Sequence, residues 1–329
     1  MAVRSLSVAL AFTATLATCL PSTAIAQAAP YPSAKPIRLL VGFAPGGAAD
    51  TVARALSDAM GKSIGQSIVV ENKPGAGSSV AAEMAAKSPA DGYTVLIASP
   101  SSISVNPALN PKLGYRFSDL QPLLKITSSP LVIAAHPGTG YRTLKDLIAA
   151  AKKAPGTINY ATSGIGSAPH LGAALFSQVA GVELFHVPFR GGAPAVQSVI
   201  AGDVQVTFGT PPSVLELVRA GRLRGLGVTM PQRSPLMPEL PGMEEAGLPQ
   251  YAIDFWYGLF VPAGTPPDVA RKLFDAASVA MKQSSVQQVL AREGTDVSVS
   301  PSPEHFAAFL AKDNPFWAKL VKDAGVTRD

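Results

Sequence analysis

The stretch VGFAPGGAADTVARAL, residues 41–56, joins the end of an apolar strand to the start of an amphipathic helix. The turn between them contains Pro45, Gly46 and Gly47. Glycines in such a turn let backbone N–H groups approach an anion, and the helix that follows supplies the positive end of its dipole. This strand, turn and helix predict the first unit of an α/β fold, and the turn is a candidate anion site.

Outward from this turn, apolar periods typical of strands and of helices alternate along the chain. The predicted strands are 37–43, 67–71, 94–98, 131–134, 158–161, 183–187, 204–208 and 257–261, and the predicted helices are 49–60, 78–87, 144–153, 169–179, 193–200, 267–292 and 304–324. A passage rich in Pro and Ser, residues 99–130, separates two series. Such alternation predicts mostly parallel sheets flanked by helices.

The length of the chain favours two domains, because about 300 residues are more than one core usually needs. The first series of elements is too short to cover its own sheet, so the C-terminal helices are expected to return to it. We therefore predict a discontinuous first domain at 27–127 and 250–329, a continuous second domain at 128–249, and a cleft between them.

The N-terminus has the features of a cleavable secretory signal. Arg4 precedes an apolar stretch at 6–20, and the small residues at 24–26 predict cleavage after Ala26. The stretch is too short for a stable membrane span. The single cysteine, Cys19, lies inside this segment, so a mature chain would have no disulfide and no cysteine metal site. The sequence around Cys19 loosely resembles a lipoprotein cleavage box, but Thr18 stands where a smaller residue is usual.

The charge balance gives little support to nucleic-acid binding. After removal of the signal, 26 Lys and Arg face 22 Asp and Glu, and the charges are scattered. Aromatic residues make up 7% of the chain, and no basic stripe is visible. A mildly basic exported protein is compatible with an acidic small ligand.

Three loops follow predicted strands and lead into predicted helices. They are 43–47, 72–78 and 162–170, and all three contain glycines. Parallel α/β sheets bind ligands at this end of their strands. Each loop alone is also explained structurally: the first as a tight turn, the second as an ordinary loop and Ser167 of the third as a plain helix cap. Three such loops on two halves of the chain favour ligand binding.

Two motifs imitate nucleotide sites. Residues 42–47 have the outer glycines of a dinucleotide fingerprint, but Ala44 replaces the middle glycine and Pro45 removes an amide donor. The tripeptide at 61–63 imitates the end of a phosphate-binding loop, yet it follows a helix and Leu56 stands where the upstream glycine belongs. Neither motif predicts a cofactor.

Catalytic and metal motifs are also missing from the sequence. No Gly-x-Ser-x-Gly elbow occurs, and no pair of histidines has the helical spacing of a zinc site. Of the four histidines, only His170 lies beside a candidate loop. We expect a monomer with no cofactor, no metal and no catalytic residues.

Six motifs, taken together and in order, resemble a known family. They are PIRLLVGFAPGGAADTVARAL (36–56), IVVENKPGAGSSVAAEMAAKSPADGYTVL (68–96), SVNPALN (104–110), YATSGIGSAPHLGAALF (160–176), HVPFRGGAPAVQSVIAGDVQVTF (186–208) and LFVPAGTP (259–266). With the signal peptide, this combination is similar to the Bug family, the periplasmic solute-binding receptors of tripartite tricarboxylate transporters. The resemblance covers essentially the whole mature chain.

The resemblance implies a two-domain α/β fold of the Venus-flytrap, type II-like class in the periplasm. It also implies a small organic acid as ligand and the membrane permease subunits as partners. In this family a ligand carboxylate is held by backbone amides and waters at the first loop. Carried over by position, the ligand contacts are Phe43, Ala44, Pro45, Gly46 and Gly47 from one domain and Ser163, Gly166, Ser167 and His170 from the other.

One departure from the family pattern bears on the ligand. Members that bind amino acids place an Asp after the strand matching 204–208, whereas this chain has Gly209, Thr210 and Pro211. Ser99 and Ser101, which we also place at the cleft, offer hydroxyls and no charge. The implied ligand is therefore an organic acid without an amine, either a dicarboxylate or an aromatic carboxylate.

Asp50 is expected to organise the first turn or cap its helix, because a carboxylate repels a bound anion. Two other functions stay open from the sequence: an orphan or sensory receptor, and an exported hydrolase. The hydrolase differs from the receptors in one observable, which is whether a bound carboxylate is released unchanged.

Overall fold

The computed structural model describes residues 31–110, 112–292 and 294–323 of the 329-residue chain. The signal segment, its predicted cleavage after Ala26 and Cys19 lie outside the described residues. Within the described residues the chain forms two sheets, with helices packed on their faces. This is the two-domain α/β fold that the sequence predicts.

Eleven strands and eleven α-helices are present in the described residues. The strands are β1 (Ile37–Val41), β2 (Ile68–Asn72), β3 (Thr94–Ala98), β4 (Leu120–Pro130), β5 (Val132–Ala135), β6 (Asn159–Thr162), β7 (Phe185–Pro188), β8 (Val206–Gly209), β9 (Arg224–Val228), β10 (Asp254–Pro262) and β11 (Asp296–Val297). The helices are α1 (Ala48–Ile64), α2 (Ser79–Ala86), α3 (Asn106–Leu109), α4 (Leu144–Lys153), α5 (Ala168–Ala180), α6 (Gly192–Ala201), α7 (Pro211–Arg219), α8 (Met243–Ala246), α9 (Pro267–Met281), α10 (Ser284–Arg292) and α11 (Pro303–Asp323). A π-helical turn covers Ser101–Val105.

The two sheets have a similar plan. The first has the order β11-β4-β10-β3-β1-β2 and the second the order β7-β6-β8-β5-β9. In each, three strands at one end are parallel, as predicted. The remaining pairings are antiparallel, which corrects the expectation of mostly parallel sheets. Most antiparallel pairs involve the strands next to the segments that connect the two sheets. In the first sheet β10 pairs with β4 and β3, and in the second sheet β5 pairs with β8 and β9.

The Pro- and Ser-rich passage contains the longest strand, β4, which the sequence did not predict. Pro122 and Pro130 look like strand breakers there, since proline cannot donate to a ladder. In the structure β10 pairs along the whole of β4, but β11 pairs only with Thr127 and Ser128. Pro122 therefore lies where one side of β4 has no strand partner, a position that tolerates proline.

The C-terminal helices return to the first sheet, as expected. α1 buries Val52, Leu56 and Met60 on one face, and α9 packs against it. Full burial of such side chains stabilises the fold by about 1.5–3 kcal/mol each. The apolar spacing of residues 48–64 thus fixes which side of α1 faces the core, and the N-terminus of α1 is left at the cleft.

Two chain segments connect the sheets, and Thr229 links them. Its hydroxyl accepts a hydrogen bond from the backbone N–H of Leu131 (2.8 Å) and donates one to the carbonyl of Ile253 (2.7 Å). Thr229 is buried. The crossing segments are thereby joined side by side at the base of the cleft.

Candidate functional site

A cavity lies between the two sheets, at the carboxyl ends of their parallel strands. The centre of a water molecule can move through about 20 Å³ of it, which is room for one or two waters. Its lining comprises Phe43, Gly47, Ala48, Ala49, Ser101, Thr162, Ser163, Pro169, Gly192, Ala195, Val196, Thr207, Phe208, Gly209, Thr210, Ser213, Phe255 and Tyr257. Residues of both sheets and of their helices therefore enclose one small space.

Four helices begin at this cavity. Their first residues or caps that line it are Gly47 of α1, Pro169 of α5, Gly192 of α6 and Thr210 of α7. The helix dipole is positive at this end in all four. The first amides of a helix have no acceptor within the helix, and they are free in α1 and α6. In α7 the first two residues are prolines without an N–H, and in α5 the amides of Ala168 and His170 already donate to Ser101 and Ser167. The cavity is thus surrounded by partial positive charge. None of the described residues that line it is acidic, so the cavity favours an anion.

The first loop is held from behind by Asp50, as the sequence suggested. The Asp50 carboxylate accepts hydrogen bonds from the Gly46 amide (3.0 Å), from Arg54 Nε (2.9 Å) and from Asn72 Nδ2 (3.0 Å). Burial of the carboxyl opposes its ionisation, but the hydrogen bonds from Arg54, Gly46 and Asn72 outweigh burial and lower the pKa of Asp50. The same Asn72 amide also donates to the carbonyl of Phe43 (3.0 Å).

This arrangement decides which amides of the first loop face the cavity. The Gly46 amide points to Asp50, and Pro45 and Gly46 are exposed. Gly47 is the N-cap of α1 and has no side-chain cap, and with Ala48 and Ala49 it lines the cavity. The anion-facing amides therefore belong to Gly47 and the first turn of α1, slightly further along the chain than the sequence predicted.

The third loop is held by neutral groups. Ser167 caps α5 through a hydrogen bond from the His170 amide (3.3 Å), and the Gly166 amide donates to His170 Nδ1 (3.1 Å). Burial lowers the pKa of His170 to about 4. An imidazole nitrogen that accepts a hydrogen bond must be unprotonated. Geometry and burial therefore agree that His170 is neutral.

A second histidine stacks on the first. The rings of His170 and His186 are parallel, with centroids 3.9 Å apart, and Tyr160 stacks on the other side of His186 at 5.0 Å. Burial and the neighbouring His170 lower the pKa of His186 to about 3. His186 Nε2 lies 2.6 Å from Thr162 Oγ1. The stack thus supports Thr162, which lines the cavity.

Two of the described hydrogen bonds join the halves: one from Arg219 Nη1 to the carbonyl of Arg292 (3.0 Å), and one at the cavity itself. Ser101, which is fully buried, accepts at Oγ a hydrogen bond from the amide of Ala168, the first residue of α5 (3.1 Å). The hydroxyl comes from the segment after β3 in the first sheet, and the amide belongs to a helix of the second sheet. The structure is therefore a closed form in which protein atoms bridge the two halves.

The predicted site residues fall into two groups. Those that line the cavity are Phe43, Gly47, Ser101, Ser163 and Thr210. Those that do not line it are Ala44, Pro45, Gly46, Ser99, Gly166, Ser167 and His170. Ser99 is fully buried and its hydroxyl has no hydrogen-bond partner. Gly166, Ser167 and His170 lie in the third loop and in the first turn of α5, where they hold the loop's backbone.

Sequence reasoning placed Thr210 at the site but did not predict the helix α7 that it caps, and it did not place the start of α6 at the site. A signal was present for both. Gly191 and Gly192 follow a strand and precede a helix, as Gly46 and Gly47 do. Thr210 stands before Pro211, and proline is common in the first turn of a helix. Ser213, one turn into α7, also lines the cavity and lies 3.3 Å from the Thr210 hydroxyl.

Among the described residues there is neither a membrane-spanning helix nor a metal-binding cluster. Between Tyr31 and Asp323, no described helix combines the length and apolar character needed to cross a bilayer. The same part of the chain brings together no group of three or more His, Cys, Asp or Glu side chains that could hold a metal.

Known proteins resemble this chain over nearly all of its length. A UPF0065 protein encoded in the tcbD-tcbE intergenic region of Pseudomonas sp. (strain P51) is 36% identical, over 88% of this chain and 86% of its own. The protein BugT of Bordetella pertussis is 34% identical, over 90% of both chains.

Solved structures also resemble this chain over most of its length. One described as a periplasmic transporter has a TM-score of 0.86 and 37% identity, covering 91% of this chain and 100% of its own. MatC of Rhodopseudomonas palustris with bound malate has a TM-score of 0.83 and 30% identity, covering 88% and 99%. A second R. palustris protein, with adipate, has a TM-score of 0.86 and 30% identity, covering 90% and 99%.

The family described as the tripartite tricarboxylate transporter family receptor matches residues 52–326. This range contains the second and third loops and begins five residues after the first loop. With the two sheets and the anion-favouring cavity between them, the chain belongs to this family of receptors, the Bug family that its motifs resemble.

Proposed function

We propose that the protein captures a small carboxylate without an amine, a dicarboxylate or an aromatic carboxylate, in the cleft between its two sheets. It delivers this ligand, chemically unchanged, to the permease subunits of a tripartite tricarboxylate-type transporter. The observation that carries the proposal is the convergence of four helix N-termini on one cavity that no acidic side chain lines among the described residues. A carboxylate gains from both features.

The proposed contacts follow from this geometry. The amides of Gly47, Ala48 and Ala49 hold one carboxylate, and the hydroxyls of Ser101 and Thr210 complete its shell. This set refines the carboxylate contacts that the sequence predicted at 43–47. Ala44, Pro45 and Gly46 shape the turn, while Gly166, Ser167 and His170 hold the loop of the opposite wall, where Ser163 lines the cavity.

The lack of an amine in the ligand rests on the start of α7. Gly209 and Thr210 line the cavity at the place where amino-acid-binding members are expected to carry an Asp. An ammonium enclosed there would lose hydration that no described lining residue restores with a negative charge, a cost of several kcal/mol in real proteins. Malate and adipate, the ligands in two of the related structures, are dicarboxylates without an amine.

The receptor is proposed to act as a periplasmic monomer, after cleavage of the signal following Ala26. Its moving parts are a domain formed by 27–127 and 250–329 and a domain formed by 128–249. Ligand binding shifts the population towards the closed form, because donors on both domains are needed to surround one small acid. An orphan or sensory receptor would use the same site without a permease.

The test is a thermal-shift screen of organic acids against their α-amino counterparts. A ligand raises the melting temperature only as far as it binds the folded state. Succinate, malate, glutarate or benzoate should stabilise the protein more than aspartate or glutamate. A larger shift with either amino acid would contradict the proposal. Mass spectrometry of the released ligand should recover it unchanged, whereas a hydrolysed ester or amide would establish the exported hydrolase instead.

A further inference from the structure

Helix α10 belongs to the half of the molecule that is built on the first sheet, and it ends in a glycine turn. The amide of Gly294 donates to the carbonyl of Ala291 (2.9 Å), and the amide of Thr295 donates to the carbonyl of Leu290 (2.9 Å). Gly294 has a φ of 67°, in the left-handed region, as the residue after a helix often has. Neither amide reaches the carbonyl of Arg292, the final residue of α10.

The donor to this carbonyl comes from the other half of the molecule. Arg219 is the last residue of α7, in the half built on the second sheet, and its Nη1 donates to the Arg292 carbonyl (3.0 Å). The last carbonyls of a helix have no donor within the helix, and the helix dipole is negative at this end. The guanidinium therefore offers α10 both a hydrogen bond and a favourable charge.

Other bonds of Arg219 fix its guanidinium within its own half. Its Nε donates to Glu239 (2.9 Å), its Nη2 to the carbonyl of Leu236 (3.1 Å) and its Nη1 also to Glu216 (3.2 Å). All three acceptors lie in the half built on the second sheet. Because these bonds already orient the side chain, the bond to α10 orders few additional rotamers.

Gly294 packs directly against the second-sheet half. A Cβ at this position would lie 2.8 Å from Leu215 Cδ2 and 3.0 Å from both Met237 Sδ and Pro211 Cβ. Leu215 and Met237 are fully buried, which leaves them little room to move. Carbon atoms pack at about 3.5–4.0 Å, so a side chain at position 294 would hold the turn away from α7. Glycine therefore permits the turn and also the close approach of the two halves.

Helix α7 connects this contact to the ligand cavity. Thr210, the N-cap of α7, lines the cavity, and Arg219 is the last residue of the helix. The two residues are nine positions apart, which at 1.5 Å per residue is about 13 Å. Arg219 does not line the cavity. If α7 moves as a rigid body, closure brings Thr210 to the ligand and Arg219 to the end of α10 in the same movement.

We propose that the Arg219 guanidinium, the Arg292 carbonyl and the turn at Gly294 form a closure latch, a contact that exists only in the closed form and stabilises it without touching the ligand. The inference rests on the proposed function in one respect, namely that the two halves close around the ligand. Arg219 and Gly294 are then positioning residues. Since a ligand leaves only from the open form, the latch lengthens the time for which the ligand is retained.

The first experiment needs no ligand, because the latch acts on the closed form itself. Arg219→Gln removes the guanidinium, and Gly294→Asn adds a side chain at the turn, where asparagine tolerates the positive φ. Each variant should open the cleft and increase the radius of gyration measured by small-angle scattering. The double variant should expand little further than either single variant, because both changes break the same contact.

Each variant has a matched control. Arg233→Gln removes an arginine that bonds to Glu245 and to the carbonyl of Pro238 (2.6 Å) entirely within the second-sheet half. Gly264→Asn adds the same side chain in the first-sheet half, at a φ of 83° and with nothing within 4 Å of the new Cβ. Both controls should keep the radius of gyration of the unchanged protein. Urea unfolding shows whether either latch variant loses more stability than its control.

The second experiment measures the release of malate and of adipate by stopped flow. In Arg219→Gln and in Gly294→Asn the dissociation rate should rise about three- to tenfold, as expected when one hydrogen bond of the closed form is lost. Both controls should release the acids at the rate of the unchanged protein. The ratio of the affinities for malate and adipate should stay the same in every variant, because the latch does not touch the ligand.

The outcomes separate the latch from the proposed function. If either latch variant remains as compact as its control without ligand, the latch is overturned and the carboxylate receptor stands. Expansion of the controls to the same extent would also overturn it. Expansion of both latch variants alone would support the latch even if neither malate nor adipate binds, in which case the proposed ligand class fails by itself. Expansion without faster release would overturn the role of the latch in retaining the ligand.

Discussion

The first and third loops place helix N-termini on opposite walls of the same cavity, yet they are held in different ways. The first depends on a buried charge, the Asp50 carboxylate with its three donors. The third depends on neutral groups, namely Ser167, Ser101 and the stacked histidines 170 and 186. One wall is therefore fixed by an ionised side chain and the other by groups that must stay uncharged, so the two should respond differently to mutation and to pH.

The largest effect is expected from Gly47→Val, which tests the wall built on α1. Gly47 has an extended backbone that any residue can adopt, and its Cβ would lie 3.6 Å from the Gly192 amide. A branched side chain there would separate the anion from the amides of both helices. Loss of hydrogen bonds to a charged ligand, about 1.5–3 kcal/mol each, should weaken carboxylate binding by at least ~100-fold.

Calorimetry on the folded variant measures this change. Gly140→Val is the control, because it lies far from the cavity, with open space around it and a positive φ of 78°. The control should lose some stability and bind normally. Normal affinity in Gly47→Val would mean that the N-terminus of α1 does not bind the carboxylate.

Asp50→Ala should produce the next largest effect, on stability. It removes the side-chain acceptor of the Gly46 amide, one of the two acceptors of the Asn72 amide and the carboxylate that pairs with Arg54. The free energy of unfolding should fall by about 2–4 kcal/mol, as expected when a buried charged acceptor is removed.

Asp58→Ala is a matched control on the same helix. Asp58 pairs with Lys62, but both side chains are more than 70% exposed, so its loss should change the free energy of unfolding by less than ~0.5 kcal/mol. Urea unfolding of both variants makes the comparison. Similar losses would mean that the network behind the first loop adds nothing beyond an ordinary surface pair.

The third loop should be the acid-sensitive wall. Histidines 170 and 186 have folded pKa values of about 4 and about 3, below the ordinary value of about 6.5 that they regain on unfolding. As pH falls below about 6.5, the unfolded chain binds protons that the folded chain cannot accept, so stability is lost down to about pH 4. Each histidine should lower the free energy of unfolding by about 2 kcal/mol between pH 7 and pH 5.

His186→Phe isolates this contribution, since phenylalanine keeps a ring against Tyr160 but does not titrate. Its free energy of unfolding should fall less between pH 7 and pH 5 than that of the unchanged protein. His305→Gln, at an exposed position, should behave like the unchanged protein. The free energy of unfolding of each protein is measured by urea unfolding at both pH values. If it falls by the same amount between pH 7 and pH 5 in all three proteins, the stacked pair does not make the third loop sensitive to acid.

The smallest effect is expected from Ser101→Ala, which removes the hydrogen bond to the Ala168 amide across the cleft. A single such bond contributes about 0.5–1.5 kcal/mol, so the closed form without ligand should become less populated. Small-angle scattering should show a larger radius of gyration. Ser99→Ala is the control, because that hydroxyl has no partner to lose. Equal expansion of both variants would show that the bond does not hold the cleft closed.

The contrast between Ser101 and Ser99 also shows how far sequence reasoning reaches. Both were predicted at the cleft because both follow the same strand. The turn of π-helix that begins at Ser101 directs one hydroxyl to the opposite helix, while the other remains buried without a partner. The sequence of residues 99–102 gives no reason to expect that the two hydroxyls differ. Similarly, the first loop was recognised from its glycines, but only the bond from Gly46 to Asp50 shifts the free amides to Gly47 and α1.

The sequence by itself determined the alternation of strands and helices, the class of the fold, the Gly-rich turns and the family. These features depend on residues close together in the chain, where apolar period and turn chemistry act. Tertiary structure decided which groups surround the ligand space and which groups support them: the four helix starts line the cavity, and the stacked histidines 170 and 186 lie behind Thr162. These groups come from distant parts of the chain, and they meet because the burial of apolar faces fixes the position and direction of each element against the others.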